Sequence, residues 1–276
     1  MNNFYWSGSN FAFGCLVDYN RTECFRKEIE CNVKNGDVIV EAGAGTGILS
    51  LFAAKYGASK VYAIERDPDL VSYLKSTVVK NGYQNIIEVA EEDASNITLP
   101  ENVDGIICEM ISTCLITEFQ IPVMNNLLNF AKDNCFVIPE EMENYISLVS
   151  QKSEFWGFNM NPVQYLYQDH SELKSEILSV ESKFFVIDFN HYNKNPKVNV
   201  DMEIPITNEG IINGIRLTNR TIFPANSELI SSDFYCNPVV LPTNEIHVSE
   251  KDRCRVKLEY YIHKGFKNMY YDIYKM

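Results

Sequence analysis

The chain has 276 residues, of which 46% are hydrophobic and 22% charged, with a formal net charge of −13. Its apolar runs fall short of the ~18–20 residues that a membrane span needs, and its first ten residues lack a basic region followed by an apolar stretch. We therefore expect neither a membrane protein nor a signal peptide. The acidic balance disfavours a long nucleic-acid contact and suits a cationic partner, although it is also compatible with a charge that serves only solubility.

Eight cysteines and four histidines are present, and no two cysteines form a Cys-x-x-Cys pair. Several cysteines lie in apolar runs, such as Cys108 in the run 106–108. This distribution is typical of reduced, buried thiols in a cytoplasmic protein rather than of a disulfide framework or a zinc site. We therefore expect a cytoplasmic chain without a bound metal.

The first half of the chain alternates strand and helix patterns. Continuous apolar strands that alternate with helices predict a doubly wound, Rossmann-like α/β fold, with a parallel sheet covered on both faces. The strand patterns lie at 37–40, 60–65, 86–89 and 103–108, and the helical patterns lie at 47–57 and 69–81.

The pattern changes beyond Pro139. Short apolar runs separated by Asn, Pro and Gly predict an antiparallel β-barrel-like domain, and helical periodicity persists mainly at 162–178. The sequence therefore predicts a first domain over 1–139 and a second over 140–276. The short runs lie at 184–187, 198–204, 211–217 and 256–262.

The sharpest motif lies between the first predicted strand and the helix after it, at 41–47, and reads Glu-Ala-Gly-Ala-Gly-Thr-Gly. Gly43, Gly45 and Gly47 would allow a tight turn and close approach of a ligand to the backbone. Their spacing differs from the Gly-x-Gly-x-x-Gly of dinucleotide sites, and Glu41 suits an ammonium better than a pyrophosphate. Alone, the motif is also compatible with a plain strand-to-helix turn.

Candidate nucleoside ligands follow the next two strands. Glu65 closes the second strand, where a carboxylate can accept hydrogen bonds from ribose hydroxyls, as it also does in NAD sites. Asp93 and Ala94 follow the third strand, within reach of an adenine amino group. Because parallel strands end at one edge of a sheet, these residues together predict an adenosine site, although each alone is compatible with solvated surface.

These residues resemble the class I S-adenosylmethionine-dependent methyltransferases and, more narrowly, the protein arginine N-methyltransferase family. The segment 41–54 is similar to that family's first motif, and 16–29 is similar to its N-terminal helical segment. The resemblance covers about 13–276 and is strongest up to residue 139. It implies S-adenosyl-L-methionine as cofactor, S-adenosyl-L-homocysteine as product, and Arg21 as the residue that binds the methionine carboxylate, which suits a guanidinium fork.

The segment 109–118, Glu-Met-Ile-Ser-Thr-Cys-Leu-Ile-Thr-Glu, is similar to the family's double-E loop, and Thr113 with 115–116 makes it most similar to the type III, monomethylating branch. The resemblance implies that Glu109 and Glu118 are catalytic, with Glu109 also beside the cofactor. A guanidinium is a poor nucleophile with a pKa above about 12, and two carboxylates can hold one of its nitrogens in line with a sulfonium methyl group. Two solvated loop acids are the alternative interpretation.

Two segments of the barrel half correspond to functional elements of the family. Phe-Tyr-Cys at 234–236 stands where the family has a Thr-His-Trp loop, so Tyr235 and Cys236 are candidate pocket residues. Tyr235 would either stack on a guanidinium or serve barrel packing. The range 159–182 stands where the family has a helical dimerisation arm, which predicts a homodimer. A helix packed on its own barrel accounts for that range equally well.

The leading hypothesis is N-methylation of a guanidino group, on a protein or peptide or on a small molecule such as free arginine. A second hypothesis is methylation of another amine, a carboxylate or a hydroxyl of a metabolite or peptide. A third is a non-catalytic, cofactor-binding regulatory partner, against which Glu109, Glu118 and Arg21 argue. An NAD-dependent reductase is disfavoured by the glycine spacing.

Overall fold

The computed structural model describes residues 9–167, 173–194, 196–225 and 227–276. The α-helices within these ranges are α1 (Ser9–Val17), α2 (Tyr19–Asn32), α3 (Ile48–Lys55), α4 (Pro68–Lys80) and α5 (Gln120–Leu127), and short 3-10 helices lie at Thr113–Leu115, Leu128–Phe130 and Phe266–Asn268. None of the helices in the described ranges combines the length and the apolar character that crossing a membrane requires.

The first half forms a parallel sheet with the strand order β3-β2-β1-β4-β5. Its strands are β1 (Val38–Ala42), β2 (Lys60–Glu65), β3 (Ile87–Glu91), β4 (Val103–Cys108) and β5 (Ala131–Ile138). Every residue of the central strand β1 is buried, as expected for a strand covered on both faces. The predicted doubly wound, Rossmann-like sheet is therefore confirmed.

The register of this sheet decides where the functional residues lie. Ala42, the last residue of β1, pairs with Ile64 near the end of β2 and with Cys108 at the end of β4. The segments that follow these three strands therefore leave the sheet at the same edge. That edge is where ligands bind in open α/β sheets.

The second half is antiparallel, which confirms the predicted barrel-like architecture. Its main sheet has the order β10-β6-β13-β15-β9, and β12-β16-β17 and β7-β8 form two smaller sheets. The strands are β6 (Glu141–Ser150), β7 (Glu154–Phe155), β8 (Phe158–Asn159), β9 (Gln164–Tyr165), β10 (Glu176–Ile177), β11 (Ser182–Asp188), β12 (Lys197–Pro205), β13 (Gly210–Ile222), β14 (Glu228–Leu229), β15 (Val239–Val248), β16 (Arg253–Tyr261) and β17 (Tyr270–Lys275).

The helix predicted at 162–178 is wrong for the residues that the structure describes there. Gln164–Tyr165 pairs with β15 and Glu176–Ile177 pairs with β6, so both segments extend the main sheet. The open edges of β6 and β15 offer backbone hydrogen bonds that local periodicity does not reveal. The described part of the predicted dimerisation arm, 159–182, thus contains no α-helix, and residues 168–172 lie outside the described ranges. The homodimer stays a prediction.

Helix α2 joins the two halves. Phe25 is fully buried and meets the ring of Phe223 edge-on, with 5.0 Å between the centroids. The buried carboxylate of Glu28 accepts a hydrogen bond from the backbone N–H of Ala225 at 3.1 Å and another from the hydroxyl of Ser227. A buried carboxylate needs such donors, so Glu28 fixes α2 against the loop that follows β13.

We expect Glu28→Ala to lower the free energy of unfolding by about 2–3 kcal/mol, because hydrogen bonds to a charged group are lost and their donors stay buried. In a chain of this size the thermal midpoint should fall by roughly 5–10 °C. The matched control is Glu30→Ala, on the same helix, where the carboxylate forms an exposed ion pair with Arg26 and contributes less than about 1 kcal/mol. Equal thermal shifts in the two variants would contradict this role for Glu28.

Candidate functional site

A cavity of about 500 Å³ lies at the carboxyl edge of the parallel sheet. The residues that line it come from α1, from the start of α2, and from the segments that follow β1, β2, β3 and β4. Among the predicted site residues, those that line the cavity are Arg21, Glu41, Gly43, Gly45, Glu65, Asp93, Ala94, Glu109 and Glu118.

The glycine-rich segment turns the chain from β1 into α3. Gly43, Gly45 and Gly47 have φ values of 70°, 53° and 81°, in the left-handed region that favours glycine. A Cβ at Gly43 would lie 2.9 Å from the side chain of Met110, and one at Gly47 would lie 2.2 Å from Leu74. Gly47 therefore serves helix packing rather than the cavity wall, whereas Gly43 and Gly45 face the cavity.

Glu65 is held by the backbone on both of its carboxylate oxygens. The N–H of Gly45 donates to Oε2 and the N–H of Asp67 donates to Oε1, both at 2.9 Å. Each carboxylate oxygen can accept more than one hydrogen bond. The carboxylate thus has a fixed orientation and keeps capacity for a pair of vicinal hydroxyls.

Asp93 and Ala94 form the wall that follows β3. Ser95 donates to Asp93 Oδ1 from its backbone N–H at 2.9 Å and from its hydroxyl at 2.7 Å. Burial would raise the pKa of Asp93, but the hydrogen bonds from Ser95 outweigh it and hold the pKa below its usual value. The side-chain amide of Asn126 donates a hydrogen bond from Nδ2 to the carbonyl oxygen of Ala94 at 3.0 Å. Asp93 is therefore an ionised acceptor beside an apolar surface, which suits an adenine with its amino group.

Glu41 differs from the other carboxylates of the cavity because it is almost completely buried within β1. It accepts a hydrogen bond from the hydroxyl of Ser50 on α3. Burial raises the pKa of Glu41 to about 7. A cation entering the cavity would compensate for the loss of hydration and favour the ionised form.

Arg21 forms a buried ion pair with Glu109. Its Nε donates to Glu109 Oε2 at 2.9 Å, one terminal nitrogen donates to the same oxygen, and the other donates to the carbonyl of Cys15 at 3.2 Å. Asp18 caps the start of α2 by accepting from the N–H of Arg21 at 3.1 Å. The structure therefore brings together the residue implied for the methionine carboxylate and the first carboxylate of the double-E loop.

The loop between Glu109 and Glu118 has an unusual backbone. Cys114 and Leu115 have φ values of 52° and 55°, and a non-glycine residue in the left-handed region costs about 1–2 kcal/mol. Such a conformation persists only when its surroundings fix it. The barrel half supplies those contacts: Tyr260 Oη donates to the carbonyl of Cys114 at 2.9 Å, and the N–H groups of His263 and Gly265 donate to those of Leu115 at 2.9 Å and Ile116 at 2.8 Å.

Gln120 closes this loop, and the sequence reasoning missed it. Its side chain is fully buried, its Oε1 accepts from the N–H of Met110 at 3.0 Å, and its Nε2 donates to the carbonyl of Cys108 at 2.8 Å. The one available signal was an amide at the start of the apolar segment 120–127. Gln120 ties the start of the loop to its end, which fixes the separation of Glu109 from Glu118.

Glu118 lies at the far end of the loop. Burial and the nearby charge of Glu109 raise its pKa to about 7, against the opposing effects of Arg21 and Arg66. The hydroxyl of Ser112 accepts from the N–H of Glu118 at 3.2 Å, which orients the residue. Glu118 therefore exchanges a proton near neutral pH and gains charge when a cation approaches.

The structure places neither Tyr235 nor Cys236 on the lining of this cavity, in contrast to the substrate pocket that the sequence suggested for them. Tyr235 is fully buried, shares a hydrogen bond of 2.6 Å with the hydroxyl of Thr221 on β13, and packs against the ring of Phe25. Cys236 is buried as well. Barrel packing explains both residues, because β13 provides Tyr235 with the polar partner that a buried phenol needs.

Comparisons of the sequence and of the structure with known proteins point to methyltransferases. Residues 18–145 match the family described as TRM5/TYW2 methyltransferase domain. The chain is 34% identical over 251 residues to "Uncharacterized protein MJ1452" of Methanocaldococcus jannaschii, which covers 90% of each chain. It is 37% identical over 109 residues to human protein arginine N-methyltransferase 2, and this alignment covers 38% of this chain and 25% of that protein.

A further relative is protein arginine N-methyltransferase 1 of Oryza sativa subsp. indica, 33% identical over 167 residues, with 54% of this chain and 42% of that protein covered. The match therefore spans less than half of each named arginine methyltransferase. These names assign no branch, so the likeness to the type III branch rests on Thr113 and the two residues at 115–116.

Solved structures show the same fold. The Trypanosoma brucei PRMT1 enzyme–prozyme complex with AdoHcy has a TM-score of 0.76 at 16% identity, covering 96% of this chain and 97% of that chain. Arabidopsis thaliana protein arginine methyltransferase 10 has a TM-score of 0.75 at 17% identity, covering 94% and 95%. The chain is therefore an S-adenosylmethionine-dependent methyltransferase that is similar to protein arginine N-methyltransferases in sequence over about half of its length and in fold over nearly all of it.

Proposed function

We propose that this protein transfers a methyl group from S-adenosyl-L-methionine to a nitrogen of a guanidino group, carried by a protein, a peptide or a small molecule. The observation that carries the proposal is that Glu109 and Glu118 line the same cavity as Glu65 and Asp93. A carboxylate pair suited to a guanidinium therefore lies beside a site suited to an adenosine.

The described residues fit the cofactor part by part. Glu65 would accept from the ribose hydroxyls and Asp93 from the adenine amino group. Glu41 would face the ammonium, and Arg21, which keeps donors besides those engaged by Glu109, would face the carboxylate. Bound there, the cofactor supplies a methyl group on a positively charged sulfur and leaves as S-adenosyl-L-homocysteine.

The two glutamates perform different tasks in this proposal. Glu109 already pairs with Arg21 through Oε2, so only its other carboxylate oxygen is available to the methyl acceptor. Glu118 can offer both of its carboxylate oxygens. Together they would fix the guanidinium plane and draw its charge away from the attacking nitrogen, and such alignment supplies several kcal/mol. Glu118, whose pKa is raised to about 7, would accept the proton that the attacking nitrogen releases when the methyl group is transferred.

The charge of the cavity favours a cationic acceptor over the alternatives. A carboxylate acceptor would be repelled by Glu109 and Glu118, and a pyrophosphate would be repelled by the acidic lining, which disfavours methylation of an acid and an NAD-dependent reaction. A neutral hydroxyl would gain less from a pair of carboxylates than a guanidinium, because it carries no positive charge. The acidic residues that line the cavity are Glu41, Glu65, Asp67, Glu92, Asp93, Glu109 and Glu118, whereas the basic ones are Arg21 and Arg66.

A methyl-transfer assay with tritiated S-adenosyl-L-methionine tests the proposal. The acceptors are an arginine-rich peptide, the same peptide with lysine in place of arginine, and free L-arginine. Label on the arginine peptide or on free arginine, with none on the lysine peptide, is expected. Equal labelling of the lysine peptide would overturn the guanidino acceptor and leave a general amine methyltransferase.

We expect Glu118→Gln to reduce turnover at least about 100-fold, because the amide neither attracts the guanidinium nor accepts its proton. The dissociation constant for S-adenosyl-L-homocysteine, measured by calorimetry, should change by less than about threefold, because Glu118 faces the acceptor. Glu91→Gln is the control, since Glu91 is an exposed acid at the end of β3. Full turnover in Glu118→Gln would exclude the two-carboxylate mechanism.

Binding of S-adenosyl-L-homocysteine should depend on pH through Glu41. Its pKa of about 7 in the free protein means that a proton must leave before the carboxylate can face the ammonium. Affinity should therefore fall as the pH drops below about 7, by up to tenfold per pH unit. This dependence should be absent in Glu41→Gln, and calorimetry between pH 5.5 and 8 on both proteins checks it; an unchanged profile in the variant would remove Glu41 from the site.

The same residue predicts the sign of a stability change. The folded protein holds the proton of Glu41 more tightly than the unfolded chain, whose carboxyl has the ordinary value of 4.5. Through this group the unliganded protein loses stability as the pH rises from about 4.5 to 7. Thermal unfolding at several pH values should show that loss in the wild type and a smaller one in Glu41→Gln.

A further inference from the structure

Helix α1 forms one wall of the cavity. Phe11, Ala12, Cys15 and Leu16 line it. The methyl group of Ala12 lies directly over the glycine-rich segment, because a Cβ added at Gly45 would be 3.7 Å from it. A ligand lying on that segment would therefore also lie against α1.

The position of α1 depends on contacts outside the helix. The helix has nine residues, and isolated helices shorter than about 12–15 residues are marginal in water. Gly14 lies within it and weakens it further by about 1 kcal/mol relative to alanine. The side chains of Phe13 and Val17 are exposed, so they do not anchor it.

Phe234, on the loop between β14 and β15, supplies such a contact. Its ring meets that of Phe11 edge-on, with 6.5 Å between the centroids. The same ring lies against Gly14 so closely that a Cβ there would be 2.4 Å from Phe234 Cε1. Since Gly14 lacks a left-handed φ, the ring of Phe234, and not the backbone conformation, requires a glycine at this position.

The backbone of Phe234 is fixed at the point where α1 meets α2. The N–H of Phe234 donates to Asp18 Oδ2 at 2.9 Å, and the hydroxyl of Ser232 donates to the same oxygen at 2.6 Å. Asp18 is buried and caps the helix that carries Arg21. The barrel loop thus holds both the helix over the glycine-rich segment and the start of the helix with the guanidinium.

We propose that Phe234 is a cofactor-positioning residue, which acts from the barrel half by seating α1 over the glycine-rich segment. The side chain of Phe234 contributes little to the core, because it remains 42% exposed, whereas its neighbour Tyr235 is fully buried. Its contacts with Phe11 and Gly14 therefore serve α1 rather than the barrel. This inference rests on the proposed cofactor site.

The test measures binding of S-adenosyl-L-homocysteine to Phe234→Ala by calorimetry and its release by stopped-flow displacement. Loss of an edge-on aromatic contact should weaken binding about fivefold and speed release by a similar factor. Hydrogen exchange at 10–17 should be faster in the ligand-free variant. Phe158→Ala is the matched control, since Phe158 is a 69% exposed phenylalanine on β8 that does not line the cavity.

A second pair of variants separates positioning from a loss of folding. Gly14→Ala in the wild type should weaken binding of S-adenosyl-L-homocysteine, because the new methyl group displaces the ring of Phe234. In the Phe234→Ala background the same change should be neutral or favourable, because the space is free and alanine strengthens the helix. The thermal midpoints of the ligand-free proteins show whether each variant is folded.

The proposal is overturned if Phe234→Ala binds and releases S-adenosyl-L-homocysteine like the wild type, or if the two substitutions weaken binding independently. Should the wild-type protein itself fail to bind S-adenosyl-L-homocysteine, the proposed cofactor site is what fails. The two failures are therefore distinguishable.

Discussion

The buried ion pair between Arg21 and Glu109 is the interaction on which the site depends. It offsets the repulsion that two glutamates would otherwise experience in one cavity, and it spans elements that are distant in sequence. Arg21 reaches it from a helix capped by Asp18, which is itself fixed by the barrel loop. Glu109 reaches it from the end of β4, where Gln120 holds the following backbone. Without Arg21 the buried carboxylate of Glu109 would tend to take up a proton, and without Glu109 the guanidinium of Arg21 would carry an uncompensated desolvation cost.

The barrel holds the loop between Glu109 and Glu118 in a conformation that the loop would not adopt alone. Two left-handed residues, Cys114 and Leu115, cost free energy that hydrogen bonds from Tyr260, His263 and Gly265 offset. The family match ends at residue 145, whereas the likeness in shape to the trypanosomal enzyme extends over 96% of the chain. The second half of the chain thus keeps the barrel architecture, and this barrel supports the backbone of the loop between Glu109 and Glu118.

The sequence predicts the parts of the molecule that are determined locally. Apolar strand runs and the left-handed glycines at 43–47 depend on neighbours in the chain, and both were found. Tyr235, Gln120 and the segment 162–178 depend on partners far away in sequence: a hydroxyl on β13, two backbone groups beside β4, and the open edges of a sheet. Periodicity carries no information on such partners, which is why the barrel side of the site was the less predictable one.

The excess of carboxylates around the cavity has a consequence for turnover. In the proposed reaction a sulfonium and a guanidinium together bring two positive charges into this field, and after the transfer the sulfur is neutral and the attacking nitrogen has released a proton. The acidic cavity would thus attract the positively charged reactants more strongly than it attracts the products. The acidic lining that attracts the charged reactants would therefore bind the uncharged sulfur of S-adenosyl-L-homocysteine less strongly, so that the charge of the cavity would also favour release of the spent cofactor.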